Sequence, residues 1–460
     1  MAPREHAVAP ATMEAYFDDL ARALDGLVAA GETGTARFAA EVSDFVRMNR
    51  GQVRQPGSVT QAYLDVDLVR GTTHAVHSLS LTGDLPTDRA ALKEAVAGLR
   101  AALPDLAPDP HLALPAEVAS SRHAAGGALP PAEDIVGKVL DAAAGLDLVG
   151  LYAGGPVYRG YTNTLGQRNW HAATCFALQW SLYHRADKAV KCAYSGLAWD
   201  PAAFAAAMSE AKIELAKMAQ PAVKLAPGRY RAYLTPAAME DLVSLLGWGG
   251  FSARALATRQ SPLTRMRGQD NGDAGLRLDP RVTMTEATAD GVAPAFQDEG
   301  FARPARVPLI DAGRLVGALV SPRTAREFGD AFGPTNGANA SEGPESLEME
   351  GGTLPARDAL AALDTGLWIG NLHYLNFSDR NACRMTGMTR FATFWVEGGK
   401  IVAPVDVLRF DDTLYRVLGG SLEALTAETE LLLDSSTYRR RSLASMRLPG
   451  ALLSELTFTL

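Results

Sequence analysis

Every second position in the run WHAATCFALQWSLYH falls on one side of an extended chain: Trp170, Ala172, Thr174, Phe176, Leu178, Trp180 and Leu182. Successive side chains of a strand point to opposite faces, whereas a helix would scatter these residues around its circumference. The spacing predicts a long strand with one strongly apolar face, which another layer has to cover. Apolar residues make up 47% of the 460 positions, enough for a large core, and the length suits two domains.

The segments on either side predict both kinds of element. Met13–Ala30 has helical periodicity, with Tyr16, Leu20, Leu24 and Leu27 on one face. Ser58–Leu81 reads as two extended segments with a turn at Arg70-Gly71. Thr87–Leu103 predicts a second helix with Thr87 as its N-cap. The Pro-, Ala- and Gly-rich stretch Ala107–Pro131 reads as a surface excursion, and Ala132–Leu146 as helix. Pro201–Met218 predicts an Ala-rich helix with Pro in its first turn. Beyond a boundary near Pro221 the chain is turn-rich. It predicts hairpins at Asp311-Ala312-Gly313 and Glu397-Gly398-Gly399, and short helices after Pro236, Pro322 and Pro355. The expected class is α+β, with an N-terminal α/β domain over 1–220 and a β-rich C-terminal domain over 221–460.

Charge and cysteine content narrow the functional classes. The formal net charge is −8, so general attraction to nucleic acid or an anionic membrane is not expected. Arg439-Arg440-Arg441 is the local exception and reads as a solvated segment. Three cysteines suit a reducing compartment and cannot form a disulfide framework. The first twenty residues lack the apolar core of a signal peptide, and no run of about 18 apolar residues occurs. A cytoplasmic protein is the expectation.

The run Gly366–Asp412, GLWIGNLHYLNFSDRNACRMTGMTRFATFWVEGGKIVAPVDVLRFDD, interleaves aromatic, Asn, Arg and Gly residues in a way generic core does not. It resembles the C-terminal domain of the TldD/PmbA family. Similar resemblances lie in GLYAGGPVYRGYTNTLGQRNW (150–170), LAPGRYRAYLTPAAMEDLVSLL (225–246), QDEGFARPARVPLIDAGRLVGALVSPRTAREFG (297–329) and TNGANASEGPESLEMEGG (335–352). The resemblance implies an intracellular metallopeptidase assembled from pairs of related subunits.

In the catalytic, TldD-type subunit a helix carries HExxxH. Two histidines hold zinc and the glutamate activates a water. The matching helix here follows Pro236, and an ungapped match puts Ser244 and Gly249 at the histidine positions and Leu245 at the glutamate position. No His-Glu dipeptide occurs, and no cysteine follows Cys383, where the family's third ligand would lie. The resemblance is therefore to the TldE (PmbA) type. It implies no metal on this chain, zinc in a TldD-like partner, a peptide substrate, a heterodimer, and a homodimer as an option when the chain is alone.

Other constellations carry a bland and a sharp reading. His74 and His77 lie in a strand-like run and so face opposite ways. His171 and Cys175 share a face, but four strand residues separate them by roughly 13 Å. Cys383 with His373, Arg380 and Arg384 could form an activated thiolate, or Cys383 could be a small core residue. Asp298-Glu299-Gly300 and Asp411-Asp412 read as turn formers before acid–base pairs, and Gly154-Gly155-Pro156 as a tight backbone turn. His373, Asn376, Cys383, Arg384 and Arg390 are candidate linings of a substrate chamber. Asn371 and Asn381 are candidates for holding its loops. Alternatives to a non-catalytic peptidase subunit are a self-sufficient hydrolase using Cys383 and a non-enzymatic binding or regulatory protein.

Overall fold

The structure is a computed structural model that describes residues 10–186, 188–267 and 275–459. It is α+β. Helix α1 spans Pro10–Leu27, and three long strands follow: β1 (Thr33–Asn49), β2 (Gln52–Arg70) and β3 (Thr73–Leu81). Helix α2 covers Leu85–Ala102, β4 covers Ser121–Ala125 and α3 covers Ala132–Ala142. Next come β5 (Asp147–Asn163), β6 (Arg168–Arg185), β7 (Lys188–Gly196) and α4 (Pro201–Met218). The first sheet has the order β3-β2-β1-β5-β6-β4, with β7 alongside the far end of β6.

Strict alternation organises this sheet. Phe38 of β1 lies opposite Gly160 of β5, which lies opposite Trp170 of β6. The even-numbered residues of these strands therefore share one face. Phe38, Tyr158 and Trp170 pack there against Phe17 and Leu20 of α1 and Leu92 and Val96 of α2. Further along the same face Tyr152, Phe176, Leu178 and Trp180 meet Val139 of α3 and Phe204 and Met208 of α4. Burying a side chain of this size is worth about 1.5–3 kcal/mol, so the expected apolar face is the main adhesive of the N-terminal half.

Four local expectations are corrected. Asp84, not Thr87, caps α2: its carboxylate accepts from the Thr87 backbone N–H at 3.0 Å. The excursion 107–131 contributes β4, which pairs in parallel with β6. Gly154-Gly155-Pro156 makes no turn and lies within β5, where a Cβ on Gly155 would stand 2.2 Å from the Val42 carbonyl oxygen. Glycine is needed there for close approach to β1. Arg441 is not solvated but 4% exposed, unlike Arg439 and Arg440.

The second sheet is drawn from residues 228–458. Its central strand, Ser445–Phe458, pairs with β8 (Gly228–Leu234) and with Leu422–Leu433, both antiparallel, and with Ser346–Met349 in parallel. Helix α5 (Pro236–Val243) follows β8, with Thr235 as N-cap and Pro236 at the first position. Its Met239, Leu242 and Val243 enter the core beneath the sheet. The expected hairpins form, Val307–Asp311 with Arg314–Leu315 and Thr393–Glu397 with Lys400–Pro404. Among the described residues no helix is long and apolar enough to cross a membrane.

Candidate functional site

The odd-numbered face of the first sheet carries many polar residues that are still buried, beside an apolar patch of Val157, Ala173 and Cys175. Thr35, Glu41, Ser43, Asn169 and His171 are each under 9% exposed. A buried polar face needs partners for its hydrogen bonds, and the C-terminal half supplies them. Gln167 donates from Nε2 to the Gly300 carbonyl at 2.6 Å. His171 Nε2 lies 3.0 Å from the Val292 carbonyl oxygen, which can only accept, so that nitrogen carries the proton. Burial, aided by stacked His123, pushes the His171 pKa down to about 4 and keeps the ring neutral.

The segment between strands Leu422–Leu433 and Ser445–Phe458 straps across this face. Arg441 anchors it: its backbone N–H donates to Glu41 Oε2 at 3.3 Å, and Nη1 donates to the Gly155 carbonyl at 2.9 Å. Nη2 donates to the Cys175 carbonyl at 2.7 Å. Gln61 Nε2 holds the Arg439 carbonyl at 2.7 Å.

Two cavities remain between the polar face and the C-terminal half. One of about 230 Å³ is lined by Arg37, Asp67, His74, Asp109 and Glu299. His74 Nδ1 is 3.0 Å from Asp67 there, and burial raises the Asp67 pKa against the pull of His74. The other, about 350 Å³, lies under the strap and carries Arg159, Arg303, Arg440 and Glu345. Sequence reasoning did not assemble either, because their residues come from β1, β2, β3, β5, the loop after α2, residues 294–303, Arg323, Glu345 and the strap. The one available signal was the polar set at odd positions of β1 and β5.

The residues expected to line a substrate chamber lie elsewhere, on and beside a hairpin of Leu372–Asp379 and Arg384–Thr389. None of these chamber candidates lines either cavity, whereas His74 and Asp298-Glu299, read from sequence as a strand histidine and turn formers, line the first, and Arg440 and Arg441 line the second. His373 is exposed, and Asn376 accepts from the Phe377 N–H at 2.8 Å. Arg384 pairs with Asp411 at 2.8 Å, and the Arg390 guanidinium lies 4.8 Å from the centre of the Phe391 ring. Asn371 is buried and its carbonyl accepts from Arg390 N, while Asn381 is exposed. Cys383 is fully buried, and that burial pushes its thiol up to about 12. A thiol so held is protonated at neutral pH and, being fully buried, lacks the access and thiolate character a nucleophile needs. Asp412 is likewise structural, accepting from Arg416 Nε at 2.9 Å and Thr457 N at 3.1 Å.

Residues 227–460 match the family model described as PmbA/TldA metallopeptidase C-terminal domain. The chain belongs to the PmbA/TldD family. No curated protein matches it. Among solved structures it is similar to TldE from Thermococcus kodakarensis, with 14% identity, 97% of this chain and 100% of that one covered, and a TM-score of 0.75. It is also similar to two proteins described as putative modulators of DNA gyrase. The Thermotoga maritima protein has 16% identity, coverage of 97% and 100%, and a TM-score of 0.72. The Bacteroides thetaiotaomicron protein has 16% identity, coverage of 98% and 100%, and a TM-score of 0.71. At these identities the likeness to solved structures concerns the fold.

Within the PmbA/TldD frame, Ser244, Leu245 and Gly249 are the residues that the sequence resemblance matches to the metal positions of a catalytic member. Ser244 follows α5 and its hydroxyl donates to the Asp241 carbonyl at 2.9 Å. Leu245 is 3% exposed in the core, and Gly249, at φ +81, has no side chain. These groups do not fit a zinc ion, which takes imidazole, thiolate or carboxylate ligands. Among the described residues no three His, Cys, Asp or Glu side chains converge to hold a metal. Glu240 and Asp241, on the same helix, are raised by burial to about 7 and about 6, with Lys191 nearby. No local pattern selects these two, since the burial that shifts them is tertiary.

Proposed function

We propose that this chain is a TldE-like, non-catalytic subunit of a cytosolic metallopeptidase. It pairs with a TldD-like chain that carries HExxxH and the zinc, and it forms part of the wall around unfolded or modified peptides. What supports this reading is the region after α5, where the residues that the resemblance matches to the metal-binding positions are a hydroxyl engaged with a backbone carbonyl, a buried leucine and a glycine. Related subunits of a pair reuse the same surface, so the expected assembly is a two-fold or pseudo-two-fold dimer.

The test is capture of the tagged chain from its native cell, with metal analysis of the eluate. The expected result is an HExxxH-bearing paralogue with about one zinc per pair and peptide cleavage lost on chelation. Stoichiometric zinc and chelator-sensitive turnover in the isolated chain would overturn the proposal. Capture that never yields such a paralogue would favour a binding or regulatory role.

A further inference from the structure

The larger interface cavity has an imbalance of charge. Four arginines and two carboxylates line it. Both carboxylates are already engaged: Glu345 with Arg303 at 2.6 Å and Asp298 with Arg37 at 3.4 Å. Arg159 stands on β5 beside Ala39 of β1 and His171 of β6, in the middle of the polar face. Among the described residues its guanidinium donates only to backbone carbonyls, to Tyr158 at 2.9 Å and to Arg441 at 3.0 Å. Neither Arg159 nor Arg440 makes an ion pair among the described residues. Arg303, with its side chain 7% exposed, leaves Nε buried without a partner.

Asp298, Glu41 and Glu345 act on Arg159 from a distance, but none of them pairs with it directly, so a half-buried guanidinium keeps donor capacity facing the cavity. The protein leaves room beside this one rather than filling it. The lining also includes apolar surface from Phe296, Leu443 and Pro294. A ligand that fits joins one negative charge to an apolar body. Asp298 and Glu345 in the same lining disfavour a dianion, and a planar carboxylate matches the parallel donors of a guanidinium.

We propose that this cavity binds a carboxylate, the C-terminal carboxylate of an extended peptide, with Arg159 as its main partner and Arg440 closing over it from the strap. The carboxylate follows from the cavity alone; the peptide as its carrier rests on the function proposed above. The exposed Arg440 and Tyr438 sit at the mouth, and the apolar surface takes the last side chain.

Calorimetric titration of the full chain, without a partner, tests this with four probes: acetyl-Ala-Leu-Phe as free acid, the same peptide as amide, acetyl-Ala-Glu-Phe-amide, and inorganic phosphate. The free acid is expected to bind at least about tenfold tighter than the amide, the ratio that one charge-assisted pair supplies. Arg159→Gln is expected to erase that ratio, and Arg440→Gln to weaken the acid by about threefold with greater tolerance of salt. Equal binding of acid and amide, or no binding of either, overturns the proposal. So does a ratio that survives in Arg159→Gln with a native circular dichroism spectrum and melting temperature. If Arg159→Gln does not fold, the exposed Arg440→Gln decides, and unchanged affinity overturns it. Phosphate binding tighter than the free acid overturns the carboxylate, and an amidated Glu peptide equal to the free acid overturns the terminus. Capture of an HExxxH partner alongside failure here would sink this inference and leave the proposed function standing.

Discussion

Arg441 donates from Nη2 to the carbonyl oxygen of Cys175, 266 residues earlier, at 2.7 Å. The same guanidinium reaches the Gly155 carbonyl, so one side chain ties the C-terminal strap to two strands of the first sheet. Its removal strands buried acceptors on both. Arg441→Ala is expected to lower stability by about 2–4 kcal/mol in urea unfolding. Arg439→Ala is expected to stay within about 0.5 kcal/mol. Equal effects from the two would show that the strap is not anchored at Arg441.

Gly300 has φ +84, and a Cβ there would stand 2.1 Å from Cε1 of Tyr161. Gly300→Ala is therefore expected to destabilise the protein by about 2–4 kcal/mol, from backbone strain and overpacking together. Gly98 is the contrast: it lies in helix α2, and a methyl group added there would have nothing within 4 Å. Gly98→Ala is expected to raise stability by about 0.5–1 kcal/mol. Thermal unfolding of the pair checks both signs.

Burial and the charge of Glu210 raise Glu214 from an ordinary 4.5 to about 7. The folded protein then holds this proton more tightly than the unfolded chain does. Stability is expected to fall as pH rises from about 4.5 through about 7, with the full penalty above that window. Glu214→Gln removes the ionisation. It is expected to unfold later than the parent at pH 8, by about 1–2 kcal/mol, with the gap closing by pH 4.5. A gap that does not change with pH would contradict the shift.

Thiol accessibility separates a structural Cys383 from a catalytic one. Cys175 and Cys383 are buried and Cys192 is half-buried. Under native conditions Ellman's reagent is expected to titrate at most one thiol, at Cys192, and three in urea, because buried neutral thiols react only on opening. Rapid native labelling of Cys383, with peptide cleavage lost in Cys383→Ser, would restore the hydrolase reading.

The period-two run from Trp170 to Leu182 is readable as a strand because alternation is a local property of the backbone. The helix from Pro201 and the hairpin turns at Gly313 and Gly398-Gly399 are readable for the same reason: Pro and Gly restrict or free φ wherever they stand. The family is legible through segments from 150 to 412, and residues 227–460 match its C-terminal domain. The Gly154-Gly155-Pro156 segment misleads, because its glycines serve a close strand approach rather than a turn.

Sequence by itself therefore determined most of the elements, the α+β class and the family. Tertiary structure decided which polar residues meet. Arg159, Arg303 and Arg440 come from distant segments and share a cavity only because the polar face of one sheet is covered by the other half of the chain. It also decided that Cys383 is core and Arg441 an anchor. Burial and counter-charge are set by neighbours in space, and no local pattern in the chain encodes them.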